Sequence, residues 1–88
     1  MKITDIVYAD TGKTRTDGRY PLRIGSIVEF YFKPVVGECM YLSYVADNQG
    51  NPKEGYLRTS VVKNIIEVGS VIAVYTANSV YYFEKEML

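Results

Sequence analysis

The fold of this chain is decided by residues 61–84, which read VVKNIIEVGSVIAVYTANSVYYFE. The segment is rich in Val, Ile and Tyr, which suit the pleated surface of a β-strand. Gly69-Ser70 has the spacing of a two-residue hairpin turn, and Asn78-Ser79 is a second tight connection. We therefore predict a three-stranded antiparallel meander with strands at Lys63–Val68, Val71–Ala77 and Val80–Glu84.

The rest of the chain continues this pattern, with turn residues at intervals of about ten residues. Runs of strand-forming residues predict three further strands, at Ile3–Tyr8, Ser26–Lys33 and Cys39–Ala46. No window has apolar residues at helical spacing without Gly or Pro, so the one helical element predicted is a 3₁₀ turn at Leu57–Val61. The predicted fold is all-β, with about six strands.

Several of these strands are apolar on both faces, which a single open sheet would leave partly in water. In the second strand one face carries Val28, Phe30 and Phe32, and the other carries Ile27 and Tyr31. A small barrel accommodates both sets, with part of the outer face free to meet a partner. A dimer that shares strand faces is the alternative.

Length and composition limit the classes of protein that remain. The chain has 88 residues, enough for one domain spanning residues 1–88. Ten Lys and Arg balance ten Asp and Glu, so there is no global field to attract polyanions. Asp5 lies where a secretory signal peptide would need its apolar core, and no apolar run is long enough to cross a membrane. The lone Cys39 favours a reducing compartment. We expect a cytoplasmic protein with no membrane partner.

A segment before the meander, Gly55–Val62, resembles the part of SH3 domains that forms a 3₁₀ turn before a strand. The resemblance implies an SH3-like barrel. Arg58 and Ser60-Val61 stand where SH3 domains carry the Pro and the Asn-Tyr pair of their peptide groove, and the chain has no Trp. These departures weigh against the binding of proline-rich motifs.

A second resemblance covers about the last third of the chain. Leu57–Val62 and Thr76–Tyr81 are similar to segments of small uncharacterised bacterial proteins, and Arg23–Val28 is a looser match. This resemblance implies a bacterial origin and a shared fold, and it brings no established activity.

The chain has few residues suited to catalysis or metal binding. The absence of His removes the usual general base and the commonest metal ligand. Cys39 has no His to activate its thiol, so we expect Cys39 to pack as a small hydrophobe. Asp47–Glu54 has too few acidic residues for a calcium loop. Glu84 and Glu86 are interpreted as a charged tail. We expect no enzyme activity, metal or cofactor.

Residues 10–23, between the first two predicted strands, and the tyrosines are candidates for binding. Arg15, Arg19 and Arg23 surround Tyr20 and are interpreted as a solvated loop, with phosphate binding as the alternative. Exposed tyrosines are preferred anchors in protein interfaces, although a small barrel also needs many to cover its faces. The nine are Tyr8, Tyr20, Tyr31, Tyr41, Tyr44, Tyr56, Tyr75, Tyr81 and Tyr82.

Two further groups are candidates. Val35 and Val36 are consecutive aliphatic residues in a hairpin loop, interpreted as a lid on one end of the barrel, with partner contact as the alternative. A set of hydroxyl and amide side chains near two chain reversals is expected to stabilise turns, with Thr76 capping a strand end and Asn78 setting the turn. Holding a small polar ligand is the alternative for this set: Thr59, Ser60, Thr76, Asn78 and Ser79.

These observations favour a non-catalytic binding module that contacts a protein partner or a second copy of itself. The alternative is a weak nucleic-acid-binding module that uses the Arg15–Arg23 loop and exposed tyrosines.

Overall fold

The computed structural model describes residues 1–85 and shows an almost entirely β fold. The strands form one antiparallel sheet in sequence order, and the last strand pairs back with the first to close a barrel. The predicted all-β fold with six strands is thereby confirmed. The elements are β1 (Lys2–Tyr8), α1 (Tyr20–Arg23), β2 (Ile27–Phe30), β3 (Cys39–Ala46), β4 (Tyr56–Val68), β5 (Val71–Thr76) and β6 (Ser79–Glu84).

Strand β4 is the main departure from the sequence prediction. It begins at Tyr56, so the predicted 3₁₀ turn at Leu57–Val61 is wrong. Its first half pairs with β3 and its second half with β5, so one long strand links both sides of the barrel. Leu57 and Thr59 point inward and are buried. The Met40 N–H donates to Thr59 Oγ1 over 3.1 Å, at the point where the pairing register shifts.

The β1–β2 and β2–β3 connections are longer than the prediction allowed. Strand β2 ends at Phe30 rather than Lys33, although the Tyr31 N–H still donates to the Tyr41 carbonyl over 3.0 Å. The single turn α1 was not predicted; Pro21 supports it because its fixed φ suits the first positions of a helix. Strand β3 has the predicted bounds, and the other strand ends differ from the prediction by at most one residue.

The barrel interior is a continuous apolar core, and Phe83 is one of its largest fully buried side chains. A second small cluster lies on the outer face, where Val7, Ala73 and Val80 pack under Tyr75 and Tyr82. Two tyrosines therefore cover apolar residues outside the barrel, which explains part of the high tyrosine content. The principal core residues are Ile3, Ile6, Val28, Met40, Leu42, Leu57, Val62, Val74, Tyr81 and Phe83.

Within residues 1–85, no helix has the length and apolar character needed to cross a membrane. Glu86, interpreted above as part of a charged tail, lies outside the residues that the structure describes.

Candidate binding surface

Four aromatic rings lie together on the outside of the barrel, and we call them the aromatic face: Tyr31, Phe32, Tyr41 and Tyr56. Their exposed fractions range from 36% for Tyr41 to 65% for Tyr56. The rings contact one another edge to face, with centroids 4.6 Å apart for Tyr31–Phe32 and 5.2 Å apart for Tyr31–Tyr56. Phe32 lies 6.3 Å from Tyr41 in the same geometry. Such packing orders the rings before any partner arrives.

Strand register assembles the aromatic face. Met40 and Leu42 are buried in the core, so the alternation of β3 turns Tyr41 outward. Ser43 pairs with Tyr56, and the backbone bond from Tyr31 to Tyr41 brings the end of β2 alongside. The rings therefore come from three chain segments that are distant in sequence.

An open groove of about 660 Å³ adjoins the aromatic face. Phe32 and Tyr41 form one wall, and Pro34, Val35 and Val61 contribute apolar surface. The loop between β2 and β3 is tied to β4 by two backbone bonds, Gly37 N–H to the Val62 carbonyl and Val62 N–H to the Glu38 carbonyl.

Val35 and Val36 lie in this loop with 51% and 56% of their surface exposed. The lid interpretation is therefore wrong, because a lid would bury both side chains against the barrel end. The two backbone bonds hold the loop along β4 instead, which leaves the valines facing outward.

The Arg15 side chain is bound by neighbouring residues of the fold rather than free in solvent. Its guanidinium forms a bidentate pair with Asp17, through Nε to Oδ1 at 3.0 Å and Nη2 to Oδ2 at 2.7 Å. Nη1 donates to Ser79 Oγ over 2.7 Å, and the group lies 3.9 Å from the Tyr20 ring centroid. Only 13% of the side chain is exposed. Arg15 therefore ties the β1–β2 connection to the barrel.

The ionisation of Asp17 makes the stability of this arrangement depend on pH. The hydrogen bonds from Arg15, assisted by one from the Tyr8 hydroxyl, lower the pKa of Asp17 to about 2. A carboxylate with a depressed pKa stabilises the fold above its unfolded pKa of about 3.9, and the contribution is lost as the pH falls toward the folded value.

We expect the free energy of unfolding to decrease as the pH is lowered from about 5 to about 2, and part of that decrease to be absent in Asp17→Asn. Urea denaturation at a series of pH values measures it. Asp10→Asn, which changes an exposed carboxylate on the same connection, serves as the control. Parallel pH profiles for Asp17→Asn and the unmodified chain would contradict the assignment.

Arg19 precedes α1 and Arg23 ends it, and the Arg23 guanidinium lies 4.8 Å from the centroid of the same Tyr20 ring that Arg15 contacts. Arg19 and Arg23 line a pocket of about 280 Å³ between α1 and the β3–β4 connection, which also supplies Lys53. We call it the cationic pocket. Tyr56 belongs both to this pocket and to the aromatic face. Its other principal lining residues are Leu22, Tyr44, Glu54 and Leu57.

The hydroxyl groups near the chain reversals form hydrogen bonds with the backbone. Thr76 Oγ1 donates to the Ser79 carbonyl over 3.0 Å and accepts the Ser79 N–H over 3.1 Å, so Thr76 closes the β5–β6 turn as predicted. Thr59 Oγ1 donates to the Ser60 carbonyl over 2.8 Å. The Asn78 backbone carbonyl accepts the Ala9 N–H over 3.1 Å, and the turn-setting role of the Asn78 side chain stays a prediction. These contacts support the structural interpretation.

The candidates for metal and thiol chemistry also have structural partners. Asp47 Oδ1 accepts the N–H groups of Gln49 and Asn51, both over 2.9 Å, and these bonds lower the pKa of Asp47 while shaping the turn. Cys39 is half-buried with Arg58 Nη2 3.9 Å from its sulfur. Residues 1–85 contain no group of three His, Cys, Asp or Glu side chains placed to hold a metal ion.

Models of known protein families, curated proteins and solved structures were compared with the chain, and none matches at a significant level. The kinship with SH3 domains and with small bacterial proteins therefore stays a prediction.

Proposed function

We propose that this chain is a non-catalytic protein-binding module of the bacterial cytoplasm and that the aromatic face contacts its partner. The observation that carries the proposal is the exposure of Tyr31, Phe32, Tyr41 and Tyr56 as one contiguous cluster. Monomeric proteins rarely leave large contiguous apolar patches in water, and such patches mark interaction surfaces. Tyrosine is also enriched among the residues that dominate interface energetics.

The form of the aromatic face suits a protein segment. The rings are already packed against one another, so little side-chain entropy is lost when a partner covers them. The adjoining groove continues the apolar surface past Val35 and provides room for side chains of an extended segment. Arg58 lies across from Tyr41 at the edge of the face and can donate hydrogen bonds there.

Photo-crosslinking tests this proposal directly. Phe32 is replaced by p-benzoylphenylalanine, which keeps an aromatic ring at the centre of the face, and the protein is irradiated in the cells that produce it. We expect one discrete protein adduct, which is lost when Tyr31→Ala and Tyr56→Ala are added. The matched control carries the probe at Val68, which is 71% exposed at the end of β4, and is expected to give no such adduct.

The adduct also identifies the class of partner. A protein other than this chain supports the proposal in its main form, whereas a product of twice the chain mass identifies self-association. Equal, diffuse labelling from positions 32 and 68 would contradict a specific surface.

Nucleic-acid binding is the second candidate, because Arg19, Arg23 and Lys53 lie beside Tyr44 and Tyr56 in the cationic pocket. Proteins that bind single strands combine cations with aromatic stacking surfaces. Arg15 does not contribute to this set, since its guanidinium is bound to Asp17 and Ser79. Binding to an oligonucleotide that weakens steeply with salt would favour this candidate.

A further inference from the structure

The cationic pocket concentrates positive charge in a chain whose net charge is zero. Its lining includes three cations, Arg19, Arg23 and Lys53, and one carboxylate, Glu54. Within residues 1–85, the ion pairs at contact distance are Arg15–Asp17 and Lys85–Glu67, so none of the three cations has a carboxylate partner there. The pocket therefore has a local excess of two positive charges, from three cations less one carboxylate.

Two of these cations lie over aromatic rings rather than beside carboxylates. Lys53 Nζ lies 4.2 Å from the Tyr44 ring centroid, and the Arg23 guanidinium lies 4.8 Å from the Tyr20 ring centroid. Burial raises the pKa of Tyr44, and the positive charge of Arg23 beside it opposes that rise. A guanidinium stacked on a ring keeps N–H donors free at its edge, in a geometry that fits a carboxylate.

We propose that the cationic pocket binds an acidic side chain of the partner segment that covers the aromatic face. Tyr56 forms a wall of both, so the acidic residue and an aromatic or apolar residue lie close together in the partner sequence. The occupant is an extended protein segment in which Asp or Glu adjoins aromatic side chains. This inference rests on the proposed function and adds the chemical character of the partner.

The test uses two synthetic probes, the acetylated peptide amides Phe-Glu-Glu-Phe and Phe-Gln-Gln-Phe, titrated into ¹⁵N-labelled full-length protein by NMR. We expect the glutamate peptide to shift the amide signals of Lys53, Gly55 and Tyr56 and those of the aromatic face. The glutamine peptide is expected to shift the aromatic face with an affinity about tenfold lower, as the loss of charge-assisted hydrogen bonds predicts.

The second part of the experiment uses a protein variant in which two cations of the cationic pocket are replaced by neutral residues. Arg19→Gln with Lys53→Gln changes two exposed side chains and leaves the core intact. We expect it to bind both peptides equally, at the affinity of the glutamine peptide. The matched control, Lys13→Gln with Lys63→Gln, removes two exposed cations elsewhere and is expected to retain the preference for glutamate.

The outcomes separate this inference from the proposed function. Equal binding of the two peptides by the unmodified protein at the aromatic face overturns the acidic-segment proposal and leaves the protein-binding surface supported. Absence of shifts at the aromatic face with both peptides contradicts both proposals. If oligothymidine of about eight nucleotides shifts the pocket signals at lower concentration than the glutamate peptide, the occupant is a nucleic acid and the proposal is overturned.

Discussion

Replacing Phe83 by alanine is expected to lower the free energy of unfolding by about 4 kcal/mol, because large-to-small changes at buried aromatic positions leave a cavity. Phe83 has no exposed surface, and its ring lies 5.4 Å from Phe30 and 6.3 Å from Tyr81 between centroids. It belongs to β6, which closes the barrel by pairing with both β5 and β1. Urea denaturation followed by circular dichroism measures the change.

Phe32→Ala is the matched control, since it removes the same side chain from a site that is 62% exposed. We expect it to change the free energy of unfolding by less than about 1 kcal/mol. If Phe83→Ala does not fold, Phe83→Leu supplies the comparison, and its loss is expected to exceed that of Phe32→Ala. Equal losses at positions 32 and 83 would mean that the aromatic face is part of the core and would contradict its assignment as a binding surface.

Replacing Arg15 by alanine is expected to lower the free energy of unfolding by about 2 kcal/mol, through the loss of ring stacking and of buried side-chain packing. The change also removes the bonds to Asp17 and Ser79 that anchor the β1–β2 connection. Locally, the Arg15 N–H donates to the Ile6 carbonyl over 2.8 Å, and hydrogen exchange at this amide is expected to accelerate.

Two variants sharpen this prediction. Arg15→Lys keeps the charge but cannot form the bidentate pair, so we expect it to lose most of the same stability. Arg19→Ala removes an exposed cation from the same connection and is expected to have little effect. Full stability in Arg15→Lys would show that charge alone, rather than the planar guanidinium, holds the connection.

Strand number was predictable from local signals, and a barrel was predictable from strands that are apolar on both faces. Val and Ile runs alternate with short turns such as Gly69-Ser70, and strands that are apolar on both faces require covering on both sides. The course of residues 57–61 was not predictable in this way. Thr59 faces inward with Leu57 by strand alternation, and its buried hydroxyl accepts the Met40 N–H, a long-range contact that has no local signature.

The binding surfaces were less predictable because they depend on register. Tyr31, Tyr41 and Tyr56 occur at unrelated sequence spacings, and pairing among β2, β3 and β4 brings them together. Arg15 was grouped with Arg19 and Arg23 as a cationic loop, yet its guanidinium is bound to Asp17 and Ser79 and is not available to a ligand. The signal that could have distinguished it is Asp17, two residues away, which is spaced to pair with its guanidinium.

A partner protein that covers the aromatic face protects its rings from oxidation, and residue-level oxidative footprinting measures this protection. Hydroxyl radicals are applied to the purified protein and to the same protein in a lysate of its own cells, and modification is read by mass spectrometry. We predict that Tyr31, Phe32, Tyr41 and Tyr56 are labelled in the purified protein and protected in the lysate, while exposed Ile66 and Val68 are labelled equally in both. Unchanged labelling of the four rings in the lysate would contradict the proposal that a partner protein covers this face.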